Sequence, residues 1–218
     1  MDGLRRGGAE CVLDSQQRHR PISCRRRGDA QGIRPSTLRQ RGDVRILRRG
    51  KMPQRLHDIV GRLYRPPADG IRQVFALSRA DAERLPALPS IAIISVTAPE
   101  RPPANISGFA HMLRLRFADV DFLKPDLSAR AKEKLPHAFT AEQGSAIRGF
   151  VEALPDEISS VVVHCEGGYS RSSAITLALH KLYGYHVELQ HLTQANPSII
   201  RMLTGDVRGH HEWKNVRR

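Results

Sequence analysis

VVVHCEGGYSRSSAITLAL, residues 161–179, changes character twice along its length. Val161, Val162 and Val163 form a short β-branched run, the composition of a buried strand. The run ends at His164 and Cys165. Glu166, Gly167, Gly168, Tyr169 and Ser170 follow, and the loop closes at Arg171 and Ser172. From Ser173 onward, Ile175, Leu177, Ala178 and Leu179 continue as a helix pattern. Strand, glycine-bearing loop and helix in that order set backbone N–H groups where they can face an oxyanion.

Five residues separate Cys165 from Arg171, a span that suits a loop curled around one phosphate. Successive N–H groups of such a loop form a concave anion site, and the following helix adds partial positive charge. Gly167 and Gly168 let the backbone approach closely. Arg171 offers a planar fork that grips two phosphate oxygens at once. The same field favours a thiolate nucleophile at Cys165. Ser172 is placed to hydrogen-bond the sulfur. The other cysteines serve as a control: six residues after Cys11 stands Gln17, and six after Cys24 stands Ala30, so neither repeats the pattern.

The stretch HCEGGYSRS resembles the signature of cysteine-dependent protein tyrosine phosphatases: His, Cys, five residues, Arg, then Ser or Thr. Gly168-Tyr169-Ser170 is most similar to the small dual-specificity branch. The resemblance spans Ile71 to Asp206. It implies a phosphomonoester hydrolase, a protein tyrosine or dual-specificity phosphatase that works through a phosphocysteine. Cys165 and Arg171 would be catalytic, and Glu166, Gly167, Gly168, Tyr169, Ser170 and Arg171 would bind phosphate. His164 and Ser172 would be supporting residues. The mechanism implied needs no metal and no organic cofactor.

A leaving alkoxide or phenolate must take a proton, and a carboxyl group supplies it. Asp119, Asp121 and Asp126 all follow the segment HMLRLRF. The order of elements in the resembled family favours Asp119. Asp119 lies 46 residues before Cys165, longer than the family usually shows, so residues 122–139 read as an inserted loop and Asp121 and Asp126 stay as alternatives. A turn or helix-cap role is the plain alternative for each. Glu166 faces solvent or substrate, and Tyr169 forms a pocket wall or packs in the core. His191 with His210 and His211 lacks the companion ligands of a metal site.

Around this centre the chain alternates strands and helices. Ile71–Leu77, Ser90–Val96 and His111–Phe117 read as strands, the last with one exposed face and so near a sheet edge. Ser78 caps a short helix, Thr140 opens one carrying Ile147, Phe150, Val151 and Leu154, and Gly184 ends the helix after the loop. Val187–Leu192 reads as a short helix, and Asn196-Pro197 starts the last one. The fold class is therefore α/β, with a central, mostly parallel sheet flanked by helices; the resemblance implies that residues 71–206 form a single phosphatase-like domain. Its site lies at the C-terminal ends of the strands.

Charge is uneven along the 218 residues, whose net is +13. Residues 1–56 carry 15 of the 35 Lys and Arg but only 5 of the 22 Asp and Glu. Residues 1–70 read as an Arg-rich extension without apolar periodicity, disordered by composition, although Leu56–Tyr64 has the spacing of a short helix. Its composition also fits Met52 as the true start. A nucleic-acid partner is a lesser option for it, because no aromatic residue for base stacking precedes Tyr64. Residues 207–218 read as a basic tail. Three cysteines make no disulfide framework, and neither a secretory signal nor an apolar membrane span occurs, so a cytoplasmic location is expected. The partner expected is a phosphorylated protein or another phosphomonoester. A binding protein for phosphate or nucleic acid without turnover, and a phosphatase of lipids or RNA 5′-phosphates, are the alternatives. Sulfurtransferases and arsenate reductases also use a loop cysteine, but the first need no Arg171-Ser172 ending and the second need further redox cysteines.

Overall fold

The structure is a computed structural model that describes residues 54–205. The expectations for residues 1–53 and 206–218, among them the disordered extension, the basic tail and His210-His211, lie outside the described residues. Four strands form one sheet: β1 (Gln73–Ser78), β2 (Ile91–Thr97), β3 (His111–Arg116) and β4 (Ser160–Cys165). Their order is β1-β4-β2-β3, and every pairing is parallel. The fold is α/β, with a sheet parallel throughout.

β4 comes last in sequence yet lies between β1 and β2, because it is apolar on both faces. Val161, Val162 and Val163 are fully buried, each contributing about 1.5–3 kcal/mol. Val161, Val163 and Cys165 share a core with Ile147 of α4 (Ala141–Glu152), Ile175 of α5 (Arg171–Tyr183) and Ile199 of α6 (Pro197–Thr204). Val162 belongs to a second core with Phe75 and Ile93. β3 pairs with β2 alone, and Arg114 and Arg116 are exposed, as expected of an edge strand. Register sets Ser78 of β1 beside Cys165 and Ser95 of β2 beside His164. The functional loop thus leaves from the middle of the sheet, where neighbours on both sides hold the strand end.

Three expectations need correction. The domain does not begin at Ile71: α1 (Leu56–Tyr64) buries Ile59 and Leu63 in the second core, and Gln54 bridges to Leu77 of β1. The spacing of Ile59 and Leu63 gives the helix, but only the core they enter shows that it belongs to the domain. The inserted segment 122–139 is not all loop: Ser128 caps a short helix, α3 (Ala129–Glu133), and a 3₁₀ turn follows at Leu135–His137. Residues 187–192 hold only a 3₁₀ turn, Leu189–His191. The other caps form as read. Ser78 Oγ accepts from Asp81 N, Thr140 and Gln143 close a capping box, and Gly184 ends α5 at φ +69°.

Candidate active site

Cys165 ends β4 with 3% of its surface exposed, and Arg171 opens α5 with 5% exposed. Gly168 N donates to Cys165 Sγ at 3.3 Å, and Ser172 Oγ lies 3.2 Å from the sulfur. These contacts hold the sulfur in one orientation at the start of the helix. Gly168 has φ +81°, and a Cβ there would lie 2.6 Å from Ser78 N and 2.7 Å from Leu77 C. The backbone crosses the end of β1 at a distance that only glycine permits. A Cβ on Gly167 would meet the ring of Tyr169 at 2.6 Å. Tyr169 is exposed and lies across the loop rather than in the core.

Arg171 Nη1 donates to Phe117 O at 3.0 Å, while its buried Nε has no acceptor within hydrogen-bond distance. Among the described residues, the N–H groups of Glu166, Gly167, Tyr169 and Ser170 donate to no protein acceptor either. The first-turn N–H groups of α5 have no i−4 partner by helix geometry. One buried guanidinium and a run of uncommitted donors suit a multiply charged oxyanion.

Phe117 is buried against Phe139, ring centroids 4.9 Å apart, and this contact fixes the chain just beyond β3. Buried Ala118 and Val120 flank Asp119 and aim its carboxylate at the loop. Ser170 Oγ donates to Asp119 Oδ1 at 2.8 Å, and Arg171 Nε lies 4.0 Å from Oδ2. Asp121 instead accepts from Ser198 Oγ at 2.7 Å, a structural tie to α6. Asp126 is exposed on the wall of a cleft of about 460 Å³ that borders the loop and is also lined by Asp119, Asp121, Lys124, Ser170 and Asn196. Of the three aspartates, Asp119 alone makes a hydrogen bond to the Cys165–Ser172 loop among the described residues.

Glu166 does not simply face solvent. Its carboxylate accepts from Arg79 Nη1 at 3.1 Å and lies 3.9 Å from Arg101. Arg79 N also donates to Glu166 O, and the Arg79 guanidinium donates to Pro102 O and Pro103 O. Neither this brace nor the hydrogen bond from Asn196 to Asp119 is legible in the sequence. Arg79 lay in a helix of only four residues, and Asn196 read as a helix cap alone.

His164 is 1% exposed, and its Nε2 lies 2.8 Å from Ser95 Oγ on the neighbouring strand. Burial pushes its pKa down to about 4, with the Cys165 backbone working the other way. His164 is neutral at neutral pH and serves the strand pairing beneath the loop. The unfolded chain binds a proton on this residue near pH 6.5, whereas the folded chain binds it only near pH 4, so stability falls as pH drops through that window. The expected loss is about 3 kcal/mol by pH 4. Chemical denaturation of wild type and His164→Gln at pH 7 and pH 4.5 reads it: the variant should lose less, and equal losses would assign the acid sensitivity elsewhere.

Comparisons with models of known protein families and with curated proteins find no match. Among the described residues no helix is long and apolar enough to cross a membrane, and no cluster of three or more His, Cys, Asp or Glu side chains could hold a metal ion.

Proposed function

We propose that the protein is a phosphomonoester hydrolase of the cysteine-dependent tyrosine or dual-specificity type. The observation that carries this reading is the meeting of Cys165 Sγ, the uncommitted Nε of Arg171 and the Asp119 carboxylate around one loop. Phosphate oxygens bind the loop N–H groups and Arg171. Cys165 attacks phosphorus as the thiolate, so an S–P bond forms while the P–O ester bond breaks. The leaving oxygen keeps that electron pair and takes a proton from Asp119. Water then attacks the phosphocysteine and gives its proton to Asp119. The S–P bond breaks, its electron pair returns to sulfur, and inorganic phosphate leaves. The hydroxyl of Ser172 donates to the departing sulfur. Glu166 shapes the loop through Arg79, and Gly167, Gly168, Tyr169 and Ser170 contribute backbone. The substrate class is a phosphorylated protein, and a reducing compartment such as the cytoplasm keeps the thiolate active.

Hydrolysis of p-nitrophenyl phosphate and of a phosphotyrosine peptide, without added metal, tests this. Wild type is expected to turn over both. Asp119→Asn should lower kcat on the peptide by about 10²-fold, and less on the nitrophenyl ester, whose leaving group needs the proton less. Absence of wild-type turnover on both substrates would overturn the reading in favour of phosphate binding without hydrolysis.

A further inference from the structure

Asn196 sits where three segments meet, and it is 4% exposed. As the residue before α6, its side-chain oxygen accepts from Ser198 N at 3.0 Å. Its backbone N–H donates to Ser170 O at 3.3 Å, which ties it to the phosphate-binding loop. Its side-chain amide donates to Asp119 Oδ1 at 2.9 Å and to Val120 O at 3.1 Å. A helix cap asks only for an acceptor, and serine, threonine or aspartate would supply one equally well. Only asparagine adds an amide with two protons, and both are spent here on the segment that carries Asp119. The cap therefore accounts for one of this side chain's three hydrogen bonds, and the other two go to Asp119 and to the carbonyl of Val120 beside it.

The geometry also divides the two oxygens of Asp119. Oδ1 accepts from both Ser170 Oγ and Asn196 Nδ2, while Oδ2 lies nearest Arg171 Nε at 4.0 Å. A carboxyl held by Oδ1 keeps Oδ2 to carry the proton. The Asp119 side chain is 38% exposed, so without the clamp it is free to turn toward water. The second residue of α6 repeats the grip: Ser198 Oγ donates to Asp121 and accepts from Leu123 N. The first turn of α6 thus fastens the whole stretch from Asp119 to Leu123.

Granting the phosphatase reading, on which this step rests, we infer that Asn196 is a positioning residue: it holds Asp119 so that Oδ2 delivers the proton to the leaving oxygen. It touches neither substrate nor phosphorus. Its loss should appear selectively, on substrates whose leaving group needs that proton.

The experiment compares phenyl phosphate, a poor leaving group, with p-nitrophenyl phosphate, a good one. Wild type, Asn196→Ser, Asp119→Asn and the double variant are measured, with the thermal midpoint of each. Serine keeps the cap acceptor but is too short to reach Asp119, so the fold should survive the change. For Asn196→Ser, the loss of kcat on phenyl phosphate should exceed that on p-nitrophenyl phosphate by about tenfold, with KM little changed. The double variant should be no slower than Asp119→Asn alone, because both changes remove one function. Equal losses on the two esters, or losses that multiply in the double variant, would make Asn196 merely structural and overturn the inference while leaving the phosphatase reading intact. Wild type that hydrolyses neither ester would overturn both, and that result is seen before any substitution is compared.

Discussion

Cys165→Ser is expected to lower phosphotyrosine hydrolysis by at least about 10⁴-fold while leaving the fold in place. Serine is nearly isosteric, and the site it would occupy is lined by groups that suit a hydroxyl: Gly168 N at 3.3 Å and Ser172 Oγ at 3.2 Å. An alcohol is not ionised at neutral pH, and among the described residues the hydrogen-bond partners of this position, Gly168 N and Ser172 Oγ, are not bases. His164 bonds to Ser95 on the next strand. The variant should still bind a phosphotyrosine peptide, because Arg171 and the loop N–H groups are untouched. Turnover in single-substrate assays, and peptide binding by calorimetry, separate the two effects. Residual turnover within tenfold of wild type would show that the thiol is not the nucleophile.

Arg171→Lys should cost about 10²- to 10³-fold in kcat/KM, although charge is kept. Arg171 does two things at once. Its Nη1 holds Phe117 O at 3.0 Å, and through Phe117 it sets the segment carrying Asp119. Its Nε remains uncommitted for the substrate. A lysine ammonium is a single point and cannot span the two tasks. The expected pattern is a rise in KM for phosphate ester together with a fall in kcat. A Lys variant that keeps wild-type kcat/KM would remove the guanidinium from the proposed mechanism. The Glu166–Arg79 brace does not compensate, because its charges are spent on each other and on the carbonyls of Pro102 and Pro103.

Much of the fold was readable because it is local. The three valines of β4 announce a strand buried on both faces, and Gly168 sits where the chain crosses β1 with no space for a Cβ. Thr140 with Gln143, and Gly184 at φ +69°, are caps that residues a few positions apart define by themselves. The exposed alternation of Arg114 and Arg116 placed β3 at an edge. The helix Leu56–Tyr64 is legible as an apolar spacing, but the Arg-rich composition on its N-terminal side does not show that it packs on the domain. Its burial depends on a partner surface, the face of β1 and β2 that carries Phe75 and Ile93.

The sequence by itself determined the strand, the loop of five residues and the helix, since their geometry follows from backbone rules within about twenty positions. Tertiary structure alone decided which aspartate meets that loop. Asp119 and Ser170 are 51 positions apart, and Asp119 and Asn196 are 77 apart. Nothing in the identity of Asp119, Asp121 or Asp126 distinguishes them as residues. They differ only because Phe117 is locked against Phe139 and α6 docks on α5, so that one carboxylate turns to the loop, one to Ser198 and one to the cleft. Side-chain chemistry is written residue by residue, whereas its aim is set by how distant surfaces pack.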